Sequence, residues 1–134
     1  MKSFENKVAA ITGAGSGIGR ALALGLARQG CHVALSDVNS AGLKETAELV
    51  RKLGVKASEA LVNVADRAAV QAWADQVMAE YGQVNAIFNN AGVAQGGTVE
   101  GNDYADYEWV MSINFWGVVN GTKAFLPYLK STGE

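Results

Sequence analysis

The sequence has almost no cysteine, proline or histidine: Cys31, Pro127 and His32 stand alone in 134 residues. A single thiol excludes an internal disulfide and fits a reducing, cytoplasmic setting. Neither Cys31 nor His32 has a metal-site or nucleophile partner at readable spacing, so both read as structural and no metal is expected. Net charge is also scarce. At −2 it offers no electrostatic case for nucleic acid or an anionic membrane as partner. No apolar run approaches the length of a membrane span. Met1-Lys2-Ser3-Phe4-Glu5-Asn6-Lys7 leads directly into a strand-like segment, so no signal peptide is expected.

Glycine, by contrast, is plentiful, with 16 residues against one proline, a balance that suggests tight turns and close backbone approaches rather than a flexible linker. With 49% hydrophobic and 18% charged residues, the composition is globular, and the length is that of one domain, 1–134, with a single core. No internal repeat or low-complexity segment is visible.

Strand-like and helix-like segments alternate. Lys7 to Thr12 reads as a buried strand ending at a glycine turn. A helix from Gly17 to Arg28 follows, with Ile18, Leu22 and Leu26 on one face and Gly30 near its stop. His32 to Ser36 is a second apolar run, closed by Asp37. Ser40 is placed to cap a helix to Leu53 that buries Leu43, Ala47, Val50 and Leu53 before Gly54. Ala57 to Asn63 is a weaker strand. Asp66 can cap a helix with Val70, Trp73 and Val77 at helical spacing, stopped by Gly82; Trp73 and Met78 are expected in the core. Val84 to Phe88 is a fourth apolar run. A glycine-containing loop follows, then one long helix from about Tyr104 to Lys130, with Asp103, Asp106 and Glu108 near its start as the dipole favours. This alternation implies a Rossmann-type doubly wound parallel sheet, an α/β fold with helices on both faces. The continuous apolar runs suit strands buried on both sides.

The segment Thr12-Gly13-Ala14-Gly15-Ser16-Gly17-Ile18-Gly19 joins a strand to a helix. A helix start carries unsatisfied N–H groups and positive dipole potential, so this turn is an anion site in waiting. Gly13 and Gly17 can leave room for a pyrophosphate, and Gly19 would let the helix approach the sheet. The spacing is TGxxxGxG, because Ile18 occupies the place of the third glycine in GxGxxG. A P-loop is excluded, since Arg20 and Ala21 follow Gly19 where lysine and a hydroxyl residue would be needed. The GxGxG of methyltransferases usually follows an acid, where this chain has Thr12. Glycines serving a tight turn alone are the plainer alternative. Asp37, about 20 residues on, ends the second strand where an acid can accept hydrogen bonds from the adenosine ribose and repel a 2′-phosphate. No cation at Ser16 or Val38 offsets it, which argues for NAD over NADP; an acid that merely caps the following turn is the alternative.

Together with Asn89-Asn90-Ala91-Gly92 after the fourth strand and Asn114 within Ser112-Ile113-Asn114-Phe115-Trp116-Gly117, these residues resemble the short-chain dehydrogenase/reductase family, classical type, over essentially the whole chain. The resemblance implies an oxidoreductase that moves a hydride between a nicotinamide cofactor and a small alcohol or carbonyl substrate. It implies cofactor contacts from Thr12, Gly13, Gly15, Ser16, Gly17, Ile18, Gly19 and Asp37, and from Asn90, Ala91 and Gly92. Asn63-Val64 stands where the family often has Asp-Val beside adenine, and Asn63 is expected to bond the adenine amine. Asn114 is expected to have a catalytic role by holding a water of the proton relay; a satisfied interior asparagine with no relay role is the alternative. The family's long helix mediates dimer contacts, so a homo-oligomer through 104–130 is expected, with Trp109, Trp116 and Val119 either there or in the core and Gly117 and Gly121 allowing close packing.

The family's serine and Tyr-xxx-Lys are not matched. Tyr104, Tyr107 and Tyr128 have no lysine four positions on, and Tyr81 is followed by Asn85. The fold is therefore expected to be incomplete at its C-terminus. If the protein ends at Glu134, no hydride transfer is expected, and the chain would be a nucleotide-binding fragment or a half-domain that persists by association.

Overall fold

The computed structural model describes residues 1–134. Strand β1 (Val8–Thr12) lies at the centre because all five of its residues are buried. Its side chains divide by the two-residue period of a strand. Ala9 and Ile11 pack with helix α1 (Gly17–Ala27) and helix α2 (Ser40–Arg51), through Ala23, Leu26, Leu43, Ala47 and Val50. Val8 and Ala10 pack to the other side with helix α3 (Arg67–Tyr81) and helix α5 (Trp116–Ser131), through Val70, Trp73, Val77, Ala124 and Phe125. Trp73 meets Phe125 edge to face, with centroids 5.0 Å apart. Trp73 is thus in the core as expected, while Met78 is only half-buried.

The other strands are β2 (His32–Asp37), β3 (Ala57–Leu61) and β4 (Ala86–Phe88). They form one parallel sheet in the order β3-β2-β1-β4. The architecture is the Rossmann-type α/β fold expected. Because the order reverses between β2 and β4 around β1, a crevice opens beyond the strands' C-terminal ends, the usual ligand position in such sheets.

Five local expectations need correction. The helix 104–130 is two helices, α4 (Tyr104–Asn114) and α5, broken at Phe115 with φ −107° and ψ −63°. The two halves are held by different partners. Asn114 is bound to the backbone of Val93, whereas Gly117 is seated so tightly on Val64 that a Cβ there would fall 2.6 Å from its Cγ2. Asn39, not Ser40, caps α2: its extended backbone lets Oδ1 accept from Gly42 N at 3.0 Å, so Ser40 becomes the first helical residue. Leu53 lies past the end of that helix and is 42% exposed. Ile18 leaves the buried face of α1 and is 73% exposed, because the first turn of α1 stands at the crevice rather than over the sheet. Strand limits also differ by one or two residues: β1 begins at Val8, β2 includes Asp37, β3 stops at Leu61 and β4 begins at Ala86. Asp66 caps α3 as expected, accepting from Ala69 N, and Gly82 ends it in the left-handed conformation. Asp103 and Asp106 form a reciprocal capping box on α4.

Candidate functional site

Thr12 ends β1 fully buried, so its hydroxyl must be satisfied within the protein. Oγ1 accepts from the backbone N–H of both Asn90 and Ala91, each at 3.0 Å, and donates to the Phe88 carbonyl at 3.4 Å. Asn90 returns the connection: its Nδ2 donates to the carbonyls of Thr12 and Gly13 at 3.1 and 3.2 Å. Two parallel strands that could share only ladder bonds are thus tied at their ends by side chains. The consequence is a fixed relation between the glycine turn and the segment after β4.

The turn itself depends on bare backbone. Gly13 has φ +65°, and a Cβ on it would lie 2.9 Å from Ala91 Cα. A Cβ on Gly19 would collide with the Gly13 carbonyl and reach within 2.8 Å of Asn90 Nδ2. Gly19 therefore sets the depth of α1 against the turn, as its place in the motif suggests. Ser16 sits at the N-cap in extended conformation but makes no cap bond, and the first turn of α1 holds no acid. The helix's first N–H groups and its dipole are left for an anion.

A crevice of about 380 Å³ opens there. Of the residues expected at the cofactor, Gly13, Ser16, Gly17, Ile18, Asp37, Asn63, Val64, Asn90, Ala91 and Gly92 line it together. Thr12, Gly15 and Gly19 do not; they shape it from behind. Gly15 N donates to Asp37 Oδ2 at 2.8 Å, and a Cβ on Gly15 would come 2.9 Å from that same oxygen. Asp37 Oδ1 accepts from Asn39 N at 2.9 Å. The carboxylate is thus oriented by two backbone donors from opposite sides while still facing the crevice. It also performs the turn-capping role considered as its alternative, so the two readings coexist.

Asn114 is exposed and closes on its neighbour rather than on a void. Its Oδ1 accepts from Val93 N and its Nδ2 donates to Val93 O, both at 2.8 Å. The side-chain amide is satisfied by local structure, which answers why an asparagine is tolerated where α4 ends. Asn89, the first residue of the same segment, donates from Nδ2 to Thr122 Oγ1 at 3.1 Å. Its buried Oδ1 has no partner and rests on Gly121, whose missing Cβ makes the space.

Sequence reasoning missed several contributors. Arg20 stands on the far side of the turn: its guanidinium donates to Gly15 O at 2.8 Å, Thr46 Oγ1 at 2.9 Å and Gly42 O at 3.3 Å, and pairs with Glu45 at 3.1 Å. Gly42 lets α2 approach, since a Cβ there would lie 2.5 Å from Gly15 O. Neither has a local pattern that reveals it, because each acts on a turn from a different element. Val38, Val62, Val93 and Ile113 complete the crevice walls; only their adjacency to Asp37, Asn63, Gly92 and Asn114 could have signalled them.

The titratable groups outside the crevice are structural. Burial pushes the Cys31 thiol up to about 11. A hydrogen bond to Asp75 at 2.6 Å raises Tyr128 and lowers Asp75, which ties α5 to α3. Burial raises Tyr81, whose hydroxyl donates to Val33 O.

A parallel sheet with a glycine-rich strand-to-helix turn, an uncapped helix start and an acid ending the next strand defines an α/β protein with a nucleotide-type crevice. The family model for short chain dehydrogenase matches residues 7–134, and the chain belongs to that family. It is 51% identical over its full length to a Mycobacterium tuberculosis protein provisionally named oxidoreductase SadH. It spans 49% of that relative, about half of its length. Among solved structures, a short chain dehydrogenase/reductase from Burkholderia phymatum in complex with NAD superposes with a TM-score of 0.96 at 39% identity, covering 100% of this chain and 48% of that one. An alcohol dehydrogenase from the archaeon Thermococcus sibiricus, complexed with 5-hydroxy-NADP, superposes at 0.90 with 34% identity over 95% of this chain and 55% of its own.

Proposed function

We propose that residues 1–134 form the cofactor-binding part of an NAD(P)-dependent oxidoreductase acting between alcohol and carbonyl substrates, with NAD preferred over NADP. The observation that carries this reading is the convergence of the uncapped α1 start and the oriented Asp37 carboxylate on one crevice. The start of α1 favours a pyrophosphate, and Asp37 would accept from ribose hydroxyls while repelling a 2′-phosphate. Relatives in complex with NAD and with an NADP derivative support the cofactor class, and Asp37 supports the preference within it. When bound, a nicotinamide dinucleotide supplies the hydride donor or acceptor. The residues of this chain do the holding and orienting: Gly13, Ser16 and Gly17 at the phosphates, Asp37 at the ribose, and Asn90, Ala91 and Gly92 along the wall fixed by Thr12. Asn114, whose side-chain amide is bound to Val93, would hold a water of the proton relay. No tyrosine of the chain has a lysine four positions on, so the proposal for these residues is binding without turnover.

The exposed Trp109, Phe115 and Trp116, 46–49% accessible at the α4–α5 junction, support self-association of this face. No helix is long and apolar enough to cross a membrane. The lone thiol Cys31 is the support for a cytoplasmic setting.

The test is a titration with NADH and NADPH followed by nicotinamide fluorescence. NADH should bind at least about tenfold more tightly, and Asp37→Ala should narrow that ratio. Equal affinity for the two in the unaltered chain would remove the preference, and no binding of either would remove the cofactor reading.

A further inference from the structure

The crevice continues past Asp37 to a wall of Val38, Val62, Asn63 and Val64. Three valines around one side-chain amide make an apolar wall with a single polar side chain, a make-up that suits a planar base. The direction of that amide is fixed by the chain itself. Asn63 Oδ1 accepts from Ala65 N at 3.0 Å, an Asx turn at the end of β3, while the Asn63 carbonyl accepts from Asp66 N at 2.9 Å. A backbone N–H can be met only by the oxygen end of the amide, so the assignment of O and N is forced by the bond rather than chosen. The planar amide then carries its NH₂ group on the opposite side. Nδ2 donates to no group of the protein, and the side chain is exposed to the crevice.

We infer that Asn63 reads the base as a hydrogen-bond donor. This rests on the nucleotide reading above and changes the contact expected there from the sequence. An aspartate in the same turn would keep one oxygen on Ala65 N and present the other, an anionic acceptor suited to the 6-amino group of adenine. Asn63 presents two N–H groups instead, which suit ring nitrogens or a 6-oxo group. A donor facing a 6-amino group gains nothing from it, and a 6-oxo group offers it an acceptor. The site therefore does not select adenine over hypoxanthine at position 6, and accepts dinucleotides of either base.

The experiment is equilibrium binding of NADH and of reduced nicotinamide hypoxanthine dinucleotide to the 134-residue chain, before and after Asn63→Asp. Circular dichroism of each protein establishes that it is folded. The unaltered chain should bind the two within about threefold, and the Asp variant should favour NADH by about tenfold, the worth of one charge-assisted hydrogen bond exchanged for a repulsion. A preference of tenfold or more for NADH in the unaltered chain overturns the inference and leaves the cofactor reading standing. So does a ratio that Asn63→Asp does not move. If neither dinucleotide binds the folded chain, the cofactor reading fails and the inference with it. Because the unaltered chain supplies its own ratio, the inference is tested even if the variant does not fold.

Discussion

Replacing Thr12 by valine keeps the shape of the side chain and deletes one oxygen. The structure specifies what that oxygen supports. Asn90 N would retain its second acceptor, the Phe88 carbonyl at 2.9 Å, whereas Ala91 N would lose the only acceptor it has. A part-buried N–H left without a partner costs about 1–2 kcal/mol. The 3.4 Å bond to Phe88 O is too long to add much. For a domain of this length that is a fall in melting temperature of about 4–8 °C. Thr12→Ser keeps the oxygen and loses a buried methyl, for about 1 kcal/mol, so melting alone separates the two poorly. Dinucleotide affinity separates them well. Asn90, Ala91 and Gly92 line the crevice only if Thr12 holds them, so Thr12→Val should weaken NADH binding about tenfold and Thr12→Ser by less than twofold. Equal affinity of the valine variant and the unaltered chain would refute the claim that the hydroxyl sets the wall.

Three further outcomes are expected. Gly25→Ala, in the interior of α1 with nothing within 4 Å of the new Cβ, should raise stability by about 0.5–1 kcal/mol in urea unfolding, whereas Gly19→Ala should lower it by about 3 kcal/mol. Arg20→Ala should weaken NADH binding without the arginine touching the crevice, and Arg20→Lys should restore little, because an ammonium cannot span Gly15 O and Thr46 Oγ1 as the fork does. For Cys31 the folded pKa is raised from 9.0 to about 11, so the neutral thiol favours the folded state. That contribution is complete below pH 9 and declines as pH rises toward 11; the chain should lose stability over this interval more steeply than Cys31→Ala does, measured by urea midpoints at each pH.

The sheet and its crevice were legible because they follow from repeating local signals. β1 is buried along its whole length and reads as a continuous apolar run, and the glycine turn announces both the strand's end and the helix's start. Asp37 was legible for the same reason, as an acid closing a strand. The break at Phe115 was not. Residues 104–130 carry Asn114, Gly117, Gly121 and Pro127, none of which by itself marks Phe115 as the break, and the interruption comes from two tertiary contacts, Asn114 with Val93 and Gly117 with Val64, that no local pattern encodes. Arg20 and Gly42 were hidden for the same reason. Asn63 was visible as a residue, but which end of its amide faces the ligand depended on a bond to Ala65 that only the folded turn shows. Ile18 misled in an instructive way: helical spacing put it on the buried face, yet the first turn of a helix that ends at a crevice has no sheet beneath it.

The bonds between Thr12 and Asn90 join positions 78 residues apart. Closing a loop of that length is among the last events that chain entropy permits, after the local helices and the β1–β2 crossover have formed. A partly folded chain, even one with β1, α1 and β2 in place, would have the glycine turn but no wall opposite it. A ligand seated between the two would therefore bind only the fully closed state, and would shift the folding equilibrium in proportion to its concentration over its dissociation constant. For such a chain the supply of ligand in the cell would set how much of it survives quality control as well as how much of it is occupied.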